Sequence, residues 1–216
     1  MLNKLNYVIM VKDSLVPEVV ILRLPLYIRA LSQMSQEGQA VISSKSLGSR
    51  LQITPAQIRK DLSYFGRFGK QGRGYKVDSL IEQLTNILGL NRQWNSCIIG
   101  VGRLGKAIIN YPGFVPEGFK IISAFDNDPS KIGQTVNEIQ ILPIDQIKSS
   151  VEKNDIKIAI LAVPAAIAQN VITDLIDTNI KAILNYAPIA PKVPTTLILR
   201  NIDPVLSLQS MTYYLD

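Results

Sequence analysis

The chain has 216 residues, 47% of them apolar, with 23 Lys and Arg against 17 Asp and Glu, no His, and a formal charge of +6. One Cys and no His exclude an intrachain disulfide and leave no zinc or iron–sulfur ligand set. No apolar run reaches the roughly 18 residues of a membrane span, and the first residues lack the charged, apolar and small-residue sections of a signal peptide, so a cytoplasmic protein is expected. The charge is uneven. Residues 1–90 hold twelve basic against six acidic side chains, whereas residues 91–216 hold eleven of each. Between Ser43 and Lys76 stand Lys45, Arg50, Arg59, Lys60, Arg67, Lys70, Arg73 and Lys76 with one acid, Asp61. That is the footprint of a surface built for phosphate backbones.

In chain order, Met1 to Asp13 reads as a short, poorly ordered leader. From Pro17, the residues Val20, Leu24, Tyr27, Ile28 and Leu31 form one helical stripe; Pro25 is expected to bend or restart that helix, and Gly38 to end it. Ser43-Ser44 caps a short helix through Leu51, and Thr54-Pro55 supplies an N-cap followed by proline in the first helical position. The segment from Pro55 to Phe65 puts Ile58 and Leu62 on one face, with Gln57, Arg59, Lys60, Ser63 and Tyr64 around the rest, which predicts a helix-turn-helix. Four glycines between Gly66 and Tyr75 permit a tight hairpin, a wing carrying Arg67, Lys70 and Arg73. Val77 to Leu88 is again helical, and a boundary is expected near residue 90. In this reading Arg59 and Lys60 enter a major groove, Ser63 and Tyr64 meet phosphates or base edges, and Lys70 and Arg73 touch the backbone or minor groove. Lys45, Gln57 and Tyr75 complete the candidate DNA-binding set.

Beyond residue 90, short apolar runs alternate with helices: strands at Ser96 to Ile99, Ile121 to Phe125, Lys157 to Val163 and Ala182 to Asn185, helices from Arg103, at Ile144 to Val151 and at Ala165 to Asp177. This is the α/β signature of a doubly wound parallel sheet, Rossmann-like, over residues 91–202. Residues 203–216 end in a short helix too apolar to stand alone. Gly100-Val101-Gly102-Arg103-Leu104-Gly105 follows a strand and opens a helix, and Asp126 ends the next strand. The first glycine serves the turn, the second admits a pyrophosphate, and the third allows close packing; Asp126 suits ribose hydroxyls and repels a 2′-phosphate, favouring NAD(H) over NADP(H). Arg103 either helps hold the pyrophosphate or blurs that preference. A dehydrogenase would need a proton-transfer group, His is absent, and no substrate domain remains after the nucleotide fold.

The chain resembles the Rex redox-sensing transcriptional repressors of bacteria over nearly its whole length. The resemblance is carried by Arg23-Leu-Pro-Leu-Tyr27, Ile42-Ser-Ser-Lys45, Ile58-Arg-Lys-Asp-Leu-Ser-Tyr-Phe-Gly66, Gly72-Arg-Gly-Tyr75, Gly100 to Gly105, Ala124-Phe-Asp126, Val163-Pro-Ala-Ala166, Ile183-Leu-Asn185 and Leu208-Gln-Ser210. It implies a homodimer whose N-terminal winged helices read a palindromic operator, whose Rossmann domains sense NADH against NAD+, and whose C-terminal helix is domain-swapped onto the partner. It also implies that Val163-Pro164 and Asn185, Tyr186 and Pro188 line the nicotinamide, that Tyr111 lies near the ring, and that Arg23 and Asp203 form a pair linking the DNA-binding domain to the sensor. The chain departs from the family in Tyr186, where Phe is usual, in Ile189-Ala190, where an Ala-Arg pair is usual, and in Pro204. An oxidoreductase with a basic assembly domain, and a regulator answering another nucleotide, are the alternative readings.

Overall fold

The computed structural model describes residues 8–11, 14–69 and 73–215. Lys70, Gly72, Asp216 and residues 1–7, 12 and 13 of the expected leader lie outside the described residues. The chain divides into two compact units, residues 1–91 and 92–216.

In the first unit, β1 (Val8–Val11) pairs antiparallel with β2 (Ser14–Pro17). This corrects the expectation of a disordered leader over residues 8–11: a Val-Ile-Met-Val run of high strand propensity finds a partner strand directly after it. Helix α1 (Glu18–Gln36) then runs unbroken through Pro25, where a bend or restart was expected. Proline inside a helix costs about 3 kcal/mol. Against this, Val20, Leu24, Tyr27, Ala30, Leu31 and Met34 are buried along one face, and each large apolar side chain contributes about 1.5–3 kcal/mol. Burial wins, and the helix stays whole.

A short strand β3 (Val41–Ile42) leads to α2 (Ser44–Leu51), which Ser43 opens with a capping box: Ser46 N–H donates to Ser43 Oγ at 3.0 Å and Ser43 N–H to Ser46 Oγ at 3.1 Å. Gln52 turns the chain at φ +56°, and Thr54 Oγ1 accepts from Gln57 N–H at 3.2 Å to start α3 (Pro55–Ser63). The two helices are joined by a tight turn. Strand β4 (Tyr75–Lys76) pairs with β3, Ile42 opposite Tyr75, before α4 (Val77–Leu88) packs against α1. Of the hairpin expected between Gly66 and Tyr75, Lys70 and Gly72 lie outside the described residues; a Cβ on Gly69 would strike the carbonyl oxygen of Gly74, so the two arms approach closely, and β4 takes the β-branched Val41-Ile42 edge as its partner.

One buried carboxylate ties α1 to α3. Asp61 is fully buried; its Oδ2 accepts from Arg23 Nε at 2.6 Å and Tyr27 Oη at 2.5 Å, and its Oδ1 from Arg23 Nη2 at 2.7 Å and Gln57 Nε2 at 2.6 Å. Four donors fill the four lone-pair sites of a carboxylate. Burial pushes the Asp61 carboxyl up, but the bonds from Arg23, Tyr27 and Gln57 outweigh it and hold the group below the ordinary carboxylate value. Burial and Asp61 together push the Tyr27 hydroxyl upward.

In the second unit the elements are β5 (Trp94–Ile99), α5 (Arg103–Ile109), β6 (Phe119–Asp126), β7 (Thr135–Val136), β8 (Ile139–Pro143), α6 (Ile147–Lys153), β9 (Ile158–Leu161), α7 (Ala165–Ile176), β10 (Ala182–Asn185), β11 (Ile198–Asn201) and α8 (Pro204–Thr212). The sheet order is β11-β10-β9-β5-β6-β8-β7, parallel throughout except for the edge pair β7–β8. The expected doubly wound sheet is present, with three strands, β7, β8 and β11, that the sequence reading did not place. The segment expected as a helix from Ile144 begins with a 3-10 turn, Ile144–Gln146, before α6. Cys97 to Ile99 in the central strand β5 are fully buried, their side chains divided between two cores: Cys97 and Ile99 face Phe125, Leu161 and Leu175, while Ile98 faces Val101, Ile108 and Ile141. Both faces are covered, as a parallel sheet requires. Burial pushes the Cys97 thiol up to about 12, so it is an inert core group. Helix α8 buries none of its residues within the unit. Among the described residues, no helix is long and apolar enough to cross a membrane.

Replacing Asp61 by Ala should destabilise the first unit by about 3–5 kcal/mol, because Arg23 is left without its buried partner. The pH dependence follows from the lowered carboxyl: the contribution is present above the ordinary carboxylate value, about pH 4, and is lost as pH falls through the lower folded value. Denaturant titrations of wild type and Asp61→Asn should show the steep acid loss in the former and a flatter profile in the latter; parallel profiles would contradict this account.

Candidate functional site

The strand order reverses between β5 and β9, and ligand crevices in such sheets open at the carboxyl ends of the strands flanking that reversal. Three of the glycines at the end of β5 do separate jobs there. Gly100 has φ +93°, and a Cβ on it would stand 2.5 Å from Ala162 O and 2.9 Å from Val163 Cγ1, so only glycine lets the turns after β5 and β9 touch. A Cβ on Gly105 would strike the carbonyl oxygen of Gly100. Gly102, at the N-cap of α5, is different: its φ of −81° suits any residue, and nothing lies within 4 Å of where its Cβ would be. No protein packing demands a glycine there; what its absent side chain preserves is open space over the loop backbone, which fits a pyrophosphate laid on that backbone. Val101 is buried, and Arg103 and Leu104 are exposed at the start of α5.

Asp126 ends β6 beside this loop. Its Oδ2 accepts from Val101 N–H at 2.8 Å and Lys131 Nζ at 3.0 Å, and its Oδ1 from Asp128 N–H at 2.9 Å. Burial pushes this carboxyl up, yet the bonds from Asp128 N–H, Val101 N–H and Lys131 hold it below its ordinary value, so it is ionised at neutral pH. Three donors leave a fourth lone-pair site, on Oδ1. Lys131 and Asp128 were not picked out from the sequence, although a strand-ending Asp followed by Asn-Asp-Pro-Ser-Lys carries an Asx-turn signal.

Of the residues expected on the nicotinamide side, Val163 is buried next to the loop and Pro164 is exposed as the N-cap of α7. Asn185 is fully buried and its amide is committed: Nδ2 donates to Ala187 O at 2.9 Å and Asn201 Oδ1 at 2.8 Å, and Oδ1 accepts from Ala187 N–H at 3.0 Å. It shapes the loop after β10. Tyr186 N–H donates to Leu161 O at 2.9 Å with its ring half-buried, and Pro188 is exposed. Tyr111 is 57% exposed and stands edge-on to Phe114, ring centroids 5.2 Å apart. Asp203 Oδ1 caps α8 by accepting from Val205 N–H at 2.9 Å, whereas Arg23 is bound by Asp61 within the first unit. Among the described residues, no group of His, Cys, Asp or Glu could hold a metal ion.

On the first unit, Lys45, Arg59, Lys60, Ser63 and Arg73 are exposed, and Gln57, Tyr64 and Tyr75 are half-buried. Arg59 Nη1 donates to Ser44 Oγ at 3.0 Å, which links α3 to the start of α2. Ser43, Ser44, Arg59, Ser63, Arg67 and Tyr75 share one open depression. It is a concave surface lined by two arginines and several hydroxyls, suited to a sugar–phosphate backbone.

Residues 91–189 match the family model described as "CoA binding domain", and residues 15–63 that described as "Putative DNA-binding protein N-terminus". The chain is 49% identical over 206 residues to the redox-sensing transcriptional repressor Rex of Chloroflexus aurantiacus, covering 95% of this chain and 97% of that one. Among solved structures it is similar to RSP in complex with β-NAD+ and operator DNA, with TM-score 0.89 and 39% identity over 94% of each chain. RSP in complex with β-NADH matches with TM-score 0.84 and 36% identity over 95% of each chain. The chain belongs to the Rex family of redox-sensing transcriptional repressors.

Proposed function

We propose that this protein represses transcription by binding operator DNA as a homodimer when free or NAD+-bound, and that NADH binding releases it. The observation that carries this reading is the open space at Gly102 beside an ionised Asp126, in a chain whose other unit is a capped helix-turn-helix with an exposed basic face. The dinucleotide is a signal, not a redox substrate, and the protein is a repressor rather than an enzyme. It acts in the cytoplasm, on the cell's own DNA.

Gly102 and the loop backbone would hold the pyrophosphate, and Asp126 the adenosine ribose. Selectivity between the redox forms follows from charge: the oxidised nicotinamide ring is cationic and the reduced ring neutral, so burial against Val163 and Pro164 disfavours the former. Asn185, Tyr186 and Pro188 would shape the far wall, and Tyr111, exposed in the single chain, would lie near the ring. Helix α8, with Leu206, Leu208 and Met211 all exposed, is the segment that a swap onto the partner would bury. Asp61 engages two of the three guanidinium nitrogens of Arg23 and leaves Nη1, and the partner subunit's Asp203 is the acid the family pattern assigns to it. NADH would shift the winged helices off the spacing of successive major grooves, about 34 Å. Coupling is reciprocal, so operator DNA weakens NADH binding by the factor by which NADH weakens operator binding.

Operator binding measured by fluorescence anisotropy at one salt concentration should be abolished by NADH and tolerate NAD+; indifference to both would refute the sensor. Gly102→Ala should cost no more than about 1 kcal/mol of stability, that of a poorer N-cap, because nothing lies within 4 Å of the added Cβ, yet make operator binding less sensitive to NADH. Arg59→Ala should weaken operator binding and lower the slope of log affinity against log salt by about 1, with NADH binding intact. Loss of both activities in Arg59→Ala would indicate misfolding instead.

A further inference from the structure

The Asp126 cluster contains a cation that the nucleotide-fold motif does not account for. Lys131 Nζ lies 3.0 Å from Asp126 Oδ2 and 3.6 Å from Asp128 Oδ2, so it is hydrogen-bonded to the first and ion-paired with the second. The turn that carries it is built by Lys131 N–H and Ile132 N–H donating to Asp128 O at 3.0 and 3.3 Å, while Asp128 Oδ1 accepts from Ser130 N–H at 2.9 Å and Ser130 Oγ at 2.7 Å. The turn fixes the Lys131 backbone beside Asp126, and the two carboxylates hold the ammonium. Asp126 is 5% exposed and the Lys131 side chain 29%, which sets the ammonium between the buried carboxylate and the surface.

We propose that Lys131 is a second determinant of dinucleotide choice: it donates to an adenosine ribose hydroxyl beside Asp126, and Asp126 masks in it an acceptor site for a 2′-phosphate. The inference rests on the dinucleotide-binding reading above. A ribose hydroxyl can donate to the vacant lone pair of Asp126 and accept from Lys131 at once, so the carboxylate–ammonium pair is complementary to a vicinal diol. A 2′-phosphate can only accept. Beside two carboxylates and one ammonium it meets net negative charge; with Asp126 neutralised it meets an ammonium and one carboxylate, and the balance turns. Lys131 suits this role because an ammonium is a compact charge with three donors that can turn from one acceptor to another.

The test is calorimetric titration of the full chain with NADH and with NADPH, in wild type, Lys131→Met, Asp126→Ser, Asp126→Ser/Lys131→Met and Asp126→Ser/Lys131→Arg. Lys131→Met should weaken NADH binding about tenfold, the worth of one charge-assisted hydrogen bond. Asp126→Ser should bind NADPH about tenfold or more tightly than wild type does. Adding Lys131→Met should erase that gain, and adding Lys131→Arg should keep it. A gain that survives Lys131→Met would overturn the proposal and move the phosphate to Arg103; so would NADH affinity unchanged in the single Lys131→Met variant. That single variant alters one surface lysine and decides the matter even if Asp126→Ser does not fold. Wild type that binds no NADH would instead bring down the dinucleotide reading, and the proposal with it.

Discussion

The nucleotide unit depends on the bond from Val101 N–H to Asp126. It fastens the loop after the first parallel strand to the tip of the second, so the loop that would carry a pyrophosphate and the acid that would carry a ribose are set at a fixed separation. Gly100 allows the same loop to touch the turn after β9, which brings Val163 to the third side of the crevice. Elements distant in sequence converge because the strand order reverses there and all the neighbouring carboxyl ends face one way.

Each unit is organised by one carboxylate completed by a cation, and the two differ in saturation. Asp61 is filled on all four lone-pair sites and answers a structural need, joining α1 to α3. Asp126 is filled on three, with Lys131 near the surface rather than locked inside. A saturated buried ion pair gives rigidity; an unsaturated one keeps capacity for a ligand.

Much of this was legible in the sequence, and the exceptions have physical causes. Caps such as Ser43 and Thr54-Pro55, and the glycine pattern from Gly100 to Gly105, announce themselves because local backbone chemistry demands particular residues. Strands β7 and β8 do not: their turn places Asn137 and Glu138 at φ +45° and +65° without a glycine to mark it. The continuity of α1 through Pro25 reflects tertiary burial overriding a local rule. Asp61 stood out only as a lone acid among bases, and its meaning needed the position of Arg23, which lies 38 residues earlier in the chain. Asn185 enters only through the family pattern, and the bonds of its amide to Ala187 and Asn201 could not be read from the sequence.

Arg23 and Tyr27 lie one turn apart on α1, and both grip the same residue of the helix that would read DNA. The long helix and the reading helix are thereby a single mechanical block about 28 Å long. A sensor that tilts α1 need not reshape the reading surface at all. On the proposed function, exposed positions such as Arg59 and Lys60 could change, and with them the sequence recognised, without touching the Arg23–Tyr27–Asp61 clasp: the address and the trigger would be separable parts of one molecule.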